Sequence, residues 1–505
     1  MKRIKKLAAA MLTAIMMMTM TVTAFAAETT HTLTVNANGG QDLNGQTINL
    51  YKLFDVTESG TTESKNYAYT VNTQYKAALA NVLSIPETSK DEEFAKAVAD
   101  KTATIQQFAN DFTAKALTDN LGVTKTSGKI TGENTTSYTF NSLDAGYYLV
   151  YVTGGKEIQS SLVTVDKNTS KVNLKTEAPS ITKEANEKTV EIGQVVKYTV
   201  TGSIPDTTGY SEYVYKIHDT LSDGLDFVKN ATGDALDDAD AVNVTVAFKD
   251  SNITVGGNTP TIATLDTTNK RKMSLDLSAW VRANQDNKGK EFTVTYYAKV
   301  NANAVVTEKN NATLEYGNNP TDTTTTKPSE AKTPTYPLDI NKVKKGSNPK
   351  EKLAGAKFEL YKSEADAKAG TNAIKVSGSN GNYVVDSTSS TTAFASVASI
   401  DGKDYNLHLN GLAAGDYWLK ETEAPAGFNK LADPVKITIT KTSDTEWTVK
   451  KNDTKEEDKI IDIENSTGSL LPSTGGAGVV VFAGVAILLV FGVVVSFIRD
   501  KRKAC

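Results

Sequence analysis

Apolar residues recur at every second position through long stretches of this chain, and a few positions in that same phase carry lysine, a carboxylic acid or asparagine. Ile340 alternates with Lys342, Tyr417 and Leu419 with Glu421, and Ile461 and Ile463 with Asn465. The pattern returns upstream: Ile181 with Lys183, Ile217 and Leu221 with Asp219, and Ala312, Leu314 and Tyr316 with Asn310. Residues i and i+2 share one face of a strand, so a sheet that buries the apolar members also buries the polar ones. An isolated buried charge is expensive, and such groups must be paired, neutralised or put to use.

Between these runs lie clusters of Asn, Asp, Gly and Ser, which read as turns joining Val-, Ile-, Thr- and Tyr-rich strands. The expected fold is mainly β, a tandem of β-sandwich modules. Residues 28–174 form a first, mixed module with a helical stretch from Tyr75 to Leu117, residues 175–333 a second, and residues 334–465 a third. Net charge is −4, which lacks the basic excess that a nucleic-acid backbone demands. Three histidines and one cysteine lie far apart, so no metal site, cofactor, disulfide or Cys/His nucleophile pair is expected. An acidic stretch from Asp223 to Asp240 lacks the spacing of a calcium loop and reads as solvated. Asp386-Ser387-Thr388-Ser389-Ser390 imitates a metal-adhesion loop, but it lies in a Ser/Thr-rich stretch and reads as low complexity.

Both ends are atypical of a folded module. Residues 1–27 combine a basic start, an apolar run and small residues at Ala24, Ala26 and Ala27, as in a secretory signal. Residues 466–505 hold Leu471-Pro472-Ser473-Thr474-Gly475, an apolar segment from Ala477 to Ile498 long enough to cross a bilayer, and a basic tail. This ordered triple resembles the cell-wall sorting signal of Gram-positive surface proteins. The resemblance implies that a sortase cleaves between Thr474 and Gly475 and passes the acyl group to an amine. The precursor would then be membrane-anchored only briefly, and the exported product would hold no thiol, since Cys505 leaves with the tail.

The third module carries a second resemblance. Leu353-Ala354-Gly355-Ala356-Lys357-Phe358-Glu359-Leu360-Tyr361 and Tyr417-Trp418-Leu419-Lys420-Glu421-Thr422-Glu423-Ala424-Pro425-Ala426-Gly427-Phe428 resemble the B-type repeat of collagen adhesins and pilins, with Phe428 where Tyr is commoner. That family implies an intramolecular isopeptide bond, here Lys342 to Asn465, assisted by Glu421. Burial would favour a neutral amine and a protonated carboxyl, and the acid could hydrogen-bond the Asn carbonyl and relay a proton to departing ammonia. In the second module Ile204-Pro205-Asp206, His218-Asp219-Thr220-Leu221 and Asn310-Asn311-Ala312-Thr313-Leu314 resemble the shaft domain of major pilins. The corresponding set is Lys183, Asp219 and Asn310; Asn311 faces the other side by parity. The alternative at each site is an ordinary buried ion pair beside a hydrogen-bonded asparagine. The first module points Lys52 inward with Leu50 and Phe54 but has no matching acid box.

Val172-Asn173-Leu174-Lys175 resembles the pilin motif whose lysine receives the next subunit, with Asn-Leu in place of Tyr-Pro and Lys171 as competitor. The chain is thus expected to be a sortase substrate rather than an enzyme: a major pilin linked to identical copies, to minor tip and base subunits and to peptidoglycan. A monomeric wall-anchored adhesin is the alternative.

Overall fold

The computed structural model describes residues 30–467, apart from short stretches at 62–63, 154, 156–157, 159, 167–168, 176 and 208–209. The signal-like segment, the LPSTG sequence and the apolar span lie outside the described residues. The fold is mainly β, and contacts divide it into two compact units, one ending at Pro334 and the other starting at Thr335.

The first unit holds two sets of sheets. In the N-terminal set, His31–Asn36 runs between Ser137–Leu143, antiparallel, and Thr169–Asn173, parallel. A five-stranded sheet is built around Thr47–Thr61 and Gly146–Val152. Leu33, Val35, Ile48, Leu50, Phe140 and Val150 from these two sheets share one core. All seven residues of Gly146–Val152 are buried. Helices Lys76–Leu83, Asp91–Asp100 and Ile105–Thr118 lie between two of the strands in sequence. Ile105–Thr118 buries Phe108, Ala109, Phe112, Thr113 and Ala116, one stripe at helical spacing. Phe112 meets Tyr51 and Tyr75 edge-on at 6.0 Å.

The second set is a sandwich. One sheet orders Leu225–Val228, Glu291–Val300, Val195–Ser203 and Thr182–Ala185; the other centres on Val214–Leu221 and Lys309–Gly317. Strict alternation of burial along Glu291–Val300 reflects one core face and one wet face. Tyr215 and Phe292 meet across the two sheets at 5.9 Å. Polar contacts join the two sets within this unit: Gln46 donates to the Tyr316 hydroxyl at 3.4 Å, Thr324 donates to the Gly45 carbonyl at 2.6 Å, and Lys129 pairs with Asp322 at 3.3 Å.

The second unit is also a sandwich. Tyr336–Lys344, its first long strand, lies between Leu407–Leu412 and, in parallel, its last strand Ile460–Asn465. The facing sheet is centred on Lys357–Tyr361, Gly415–Glu423 and Val435–Lys441. First and last strands of the unit are therefore hydrogen-bonded neighbours, with Lys342 opposite Ile463 and Lys344 opposite Asn465.

Candidate functional site

Two polar clusters sit inside otherwise apolar sandwiches. In the first, Lys183 is placed by the pairing of Thr182–Ala185 with Val195–Ser203, where it lies opposite Val200. Asp219 and Asn310 come from neighbouring strands of the opposite sheet, in a register that sets Asp219 against Ala312 and Leu221 against Asn310. Asn310 is fully buried, and the Lys183 and Asp219 side chains have no solvent exposure. Lys183 Nζ donates to Asp219 Oδ2 and to the hydroxyl of Tyr296, and that hydroxyl donates to Asp219 Oδ2. Asn310 Nδ2 donates to the same hydroxyl at 3.2 Å. The Lys183 amine also stands over the rings of Tyr198 and Tyr296, at 5.1 and 5.0 Å.

Desolvation governs the protonation of this cluster. Burial pushes the Lys183 ammonium down to about 8, against the attraction of Asp219. The Asp219 carboxyl is raised by the same burial, which outweighs the lysine charge and the hydrogen bonds it accepts. Tyr296 is driven well up, first by burial and then by the neighbouring carboxylate. Two acceptors, Asp219 Oδ1 and Asn310 Oδ1, are buried without a hydrogen-bond partner among the described residues. Such orphaned atoms are uncommon in a core whose only task is packing.

The second cluster occupies the C-terminal sandwich. Lys342 and Asn465 lie on the paired first and last strands, and Glu421 reaches them from the opposite sheet. Lys342 Nζ is 3.4 Å from Glu421 Oε1, both side chains being shielded from solvent, and donates to the Ile463 carbonyl at 3.2 Å. Asn465 Nδ2 donates to Glu421 Oε2 at 2.8 Å and to the Asn429 carbonyl, while Leu431 N–H donates to Glu421 Oε2 at 2.8 Å. Burial lowers Lys342 to about 8. Among the described residues Asn465 Oδ1 has no hydrogen-bond partner, and Glu421 Oε1 has none beyond its 3.4 Å ion contact with Lys342. The acid therefore touches the carboxamide nitrogen, not its carbonyl oxygen as the sequence reading supposed.

The remaining sequence candidates fall elsewhere. Lys52 does not join a buried cluster: a bulge between Lys52 and Phe54 breaks the alternation, and its ammonium pairs with the exposed Asp55 at 2.7 Å and Asp144 at 3.3 Å. Those carboxylates hold its pKa above the ordinary lysine value although burial acts the other way. Asn311 is half-buried beside Thr220 and Glu330. Lys175 is exposed just past Thr169–Asn173, its amine donating to Gln106 Oε1 at 2.9 Å, and Leu174 before it is anchored in the N-terminal core. Asp386 caps its own turn by accepting from Thr388 N–H at 2.9 Å and from the Thr388 hydroxyl at 2.6 Å. Tyr296, Asn429 and Leu431 went unnoticed in the sequence. Tyr296 stands in the inward phase with Phe292, Val294 and Ala298, but aromatic residues fill many such positions.

Residues 338–454 match the SpaA, prealbumin-like fold domain family. No curated protein matches the chain. Among solved structures it is similar to the T6 backbone pilin of serotype M6 Streptococcus pyogenes, at 18% identity and a TM-score of 0.44, over 88% of this chain and 100% of that one. It is also similar to the Corynebacterium diphtheriae major pilin SpaA, at 18% identity and 0.45, over 86% and 100% respectively. A third likeness is to BcpA, the major pilin subunit of Bacillus cereus, at 16% identity and 0.35, over 87% and 99%. At such scores the functional reading rests on the buried side chains.

Proposed function

We propose that this chain is the repeating shaft subunit of a covalent surface fibre, assembled by a sortase and hardened by two self-formed amide crosslinks. The single observation that carries the reading is the double occurrence of a buried amine, acid and carboxamide at places where strands must be held together under load. In each cluster the lysine amine is lowered to about 8, so a neutral nucleophile is within reach at ordinary pH.

Chemically, the amine nitrogen attacks Cγ of the asparagine, the new N–C bond forms, and the Cγ–Nδ2 bond breaks to release ammonia. Glu421, held at the nitrogen that departs, is suited to protonate it as it leaves. A bond between Lys342 and Asn465 would join the first and last strands of the second unit, so tension would bypass its interior. A bond between Lys183 and Asn310 would tie the two sheets of its sandwich together. Either closes a loop of more than about 100 residues, worth on the order of 4.7 kcal/mol if loop entropy behaves as it does for disulfides.

Polymerisation rests on two further features: the LPSTG sequence at residues 471–475 and the exposed amine of Lys175. Joining Thr474 of one copy to Lys175 of the next is a head-to-tail contact that does not close, which makes a filament. Sortase, identical copies, minor tip and base subunits and the peptidoglycan wall are the partners on this reading, and the cell surface is its place of work. Co-expression of the full precursor with a pilus-type sortase tests it: a ladder of covalent high-mass species is expected on denaturing gels. A single band at the monomer mass would instead indicate a lone wall-anchored stalk.

A further inference from the structure

The phenol of Tyr296 touches all three members of the cluster in the first unit's sandwich. It accepts from Lys183 Nζ and from Asn310 Nδ2, and it donates to Asp219 Oδ2. Its two lone pairs and its proton are therefore all engaged. Both nitrogens that must exchange a proton during amide formation lean on one oxygen. The C-terminal cluster is built otherwise: there the longer acid, Glu421, meets the carboxamide nitrogen directly at 2.8 Å, and the Lys342 amine stands over the ring of Phe358, at 6.0 Å and without a hydroxyl. Asp219 is one methylene shorter than Glu421, and a phenol stands beside the acid, donating to its Oδ2.

We infer that Tyr296 is a catalytic residue of the Lys183–Asn310 crosslinking reaction, relaying a proton from the attacking amine to the departing carboxamide nitrogen. This rests on the amide-forming reading above. Starting from the ammonium–carboxylate pair, Lys183 first gives one proton to Asp219. The neutral amine attacks Asn310 Cγ, and the Nζ–Cγ bond forms. The carboxamide nitrogen loses its conjugation at that moment and acquires a lone pair, so its contact with the phenol can reverse. The phenol passes its proton to Nδ2 and takes the second proton from Nζ. The Cγ–Nδ2 bond then breaks and ammonia leaves. Of the two protons that the ammonium surrenders, one ends on Asp219 and the other on ammonia, and Tyr296 is regenerated.

Tyr198 supplies the control. It also lies against the Lys183 amine through its ring, but its hydroxyl is engaged by Thr333 Oγ1 at 3.2 Å. The experiment pulses the secreted chain in cell-free synthesis, quenches at intervals and follows, by peptide mass, the ammonia lost separately at Asn310 and at Asn465. Tyr296→Phe keeps the ring and removes the relay; crosslinking at Asn310 should slow by about 10²-fold, a usual share for a positioned acid–base group. Crosslinking at Asn465 should proceed at its normal rate, as should both reactions in Tyr198→Phe. Should Tyr296→Phe fail to fold by near-ultraviolet dichroism, uniform replacement of tyrosine by 3-fluorotyrosine changes phenol acidity with little change in shape. It should shift the rate at Asn310 severalfold and spare that at Asn465. Unchanged rates at Asn310 in the phenylalanine chain, or in the fluorinated chain where the former does not fold, overturn the role of Tyr296. No ammonia loss at Asn310 in the unmodified chain overturns instead the crosslinking reading on which it stands.

Discussion

Lys342 and Glu421 belong to opposite sheets of one sandwich, yet their charged ends stand 3.4 Å apart with neither side chain exposed to solvent. Taking two charges out of water is costly, and a buried pair often stabilises less than apolar residues of the same size would. Consumption of the lysine in an amide bond removes that charge for good. The arrangement makes better sense as the starting point of a reaction than as a resting ion pair.

Replacing Glu421 by Ala should block the bond at Asn465 and leave the one at Asn310 intact. The loss of loop closure, on the order of 4.7 kcal/mol, would lower the melting temperature of the C-terminal unit by roughly 15 °C. Calorimetry together with trypsin digestion checks this. A variant that melts and resists protease like the parent would show that Glu421 takes no part.

Lys175 and Lys171 can be separated by the same ladder assay. The Lys171 side chain is exposed on Thr169–Asn173, a strand pinned in parallel to His31–Asn36 with Lys171 opposite Thr34; Lys175 lies beyond the strand end. Lys175→Ala should collapse the ladder to monomer, and Lys171→Ala should leave it unchanged. The reverse result would move the acceptor to the strand.

A chain whose first-unit crosslink is prevented by Asn310→Ala keeps Lys183 buried, and its stability should then depend on pH in a definite direction. Lys183 titrates at about 8 in the fold, against an ordinary lysine value of 10.5. Between these values the unfolded chain holds more protons than the folded one, so stability rises with pH. Asp219 is shifted upward by burial, so the fold favours its protonated form; that contribution is full on the acid side and is lost as pH rises through the raised value. Tyr198 and Tyr296, the phenols facing the amine, are raised above the ordinary tyrosine value of about 10, so the useful window is roughly pH 8 to 10. Urea titrations should show the rise in Asn310→Ala and none in the double variant Lys183→Met/Asn310→Ala. Equal slopes in the two would contradict the depressed lysine.

Gly45 holds the polar joint inside the first unit. It has a φ of +79°, and a Cβ there would lie 2.8 Å from Thr324 Cγ2. Gly45→Val should cost on the order of 1–3 kcal/mol and speed proteolysis between Asn173 and Thr182. Gly39→Val, where an added Cβ meets nothing within 4 Å, is the control and should behave as the parent. Equal cleavage in all three chains would mean that the joint does not depend on this contact.

Strand parity made much of this legible in the sequence. Lys183, Asp219, Asn310, Lys342, Glu421 and Asn465 each share a phase with two-residue apolar alternation, and in the structure each is buried. The same rule says less about Lys52: its side chain is only 12% exposed, but the bulge that follows it ends the alternation before Phe54, and its amine meets Asp55 and Asp144 rather than a buried acid. Tyr296 was hidden for the opposite reason: an inward tyrosine is ordinary, and only its three contacts distinguish it. The Gln46–Tyr316 and Gly45–Thr324 contacts were out of reach as well, since single contacts between residues some 270 positions apart leave no period in a sequence.

The most direct test is the intact mass of residues 28–470, purified without denaturation, followed by peptide mapping. The chain should weigh two ammonia molecules less than its sequence requires, with branched peptides joining Lys183 to Asn310 and Lys342 to Asn465. A mass equal to the sequence mass, with all four residues recovered in linear peptides, would contradict the account.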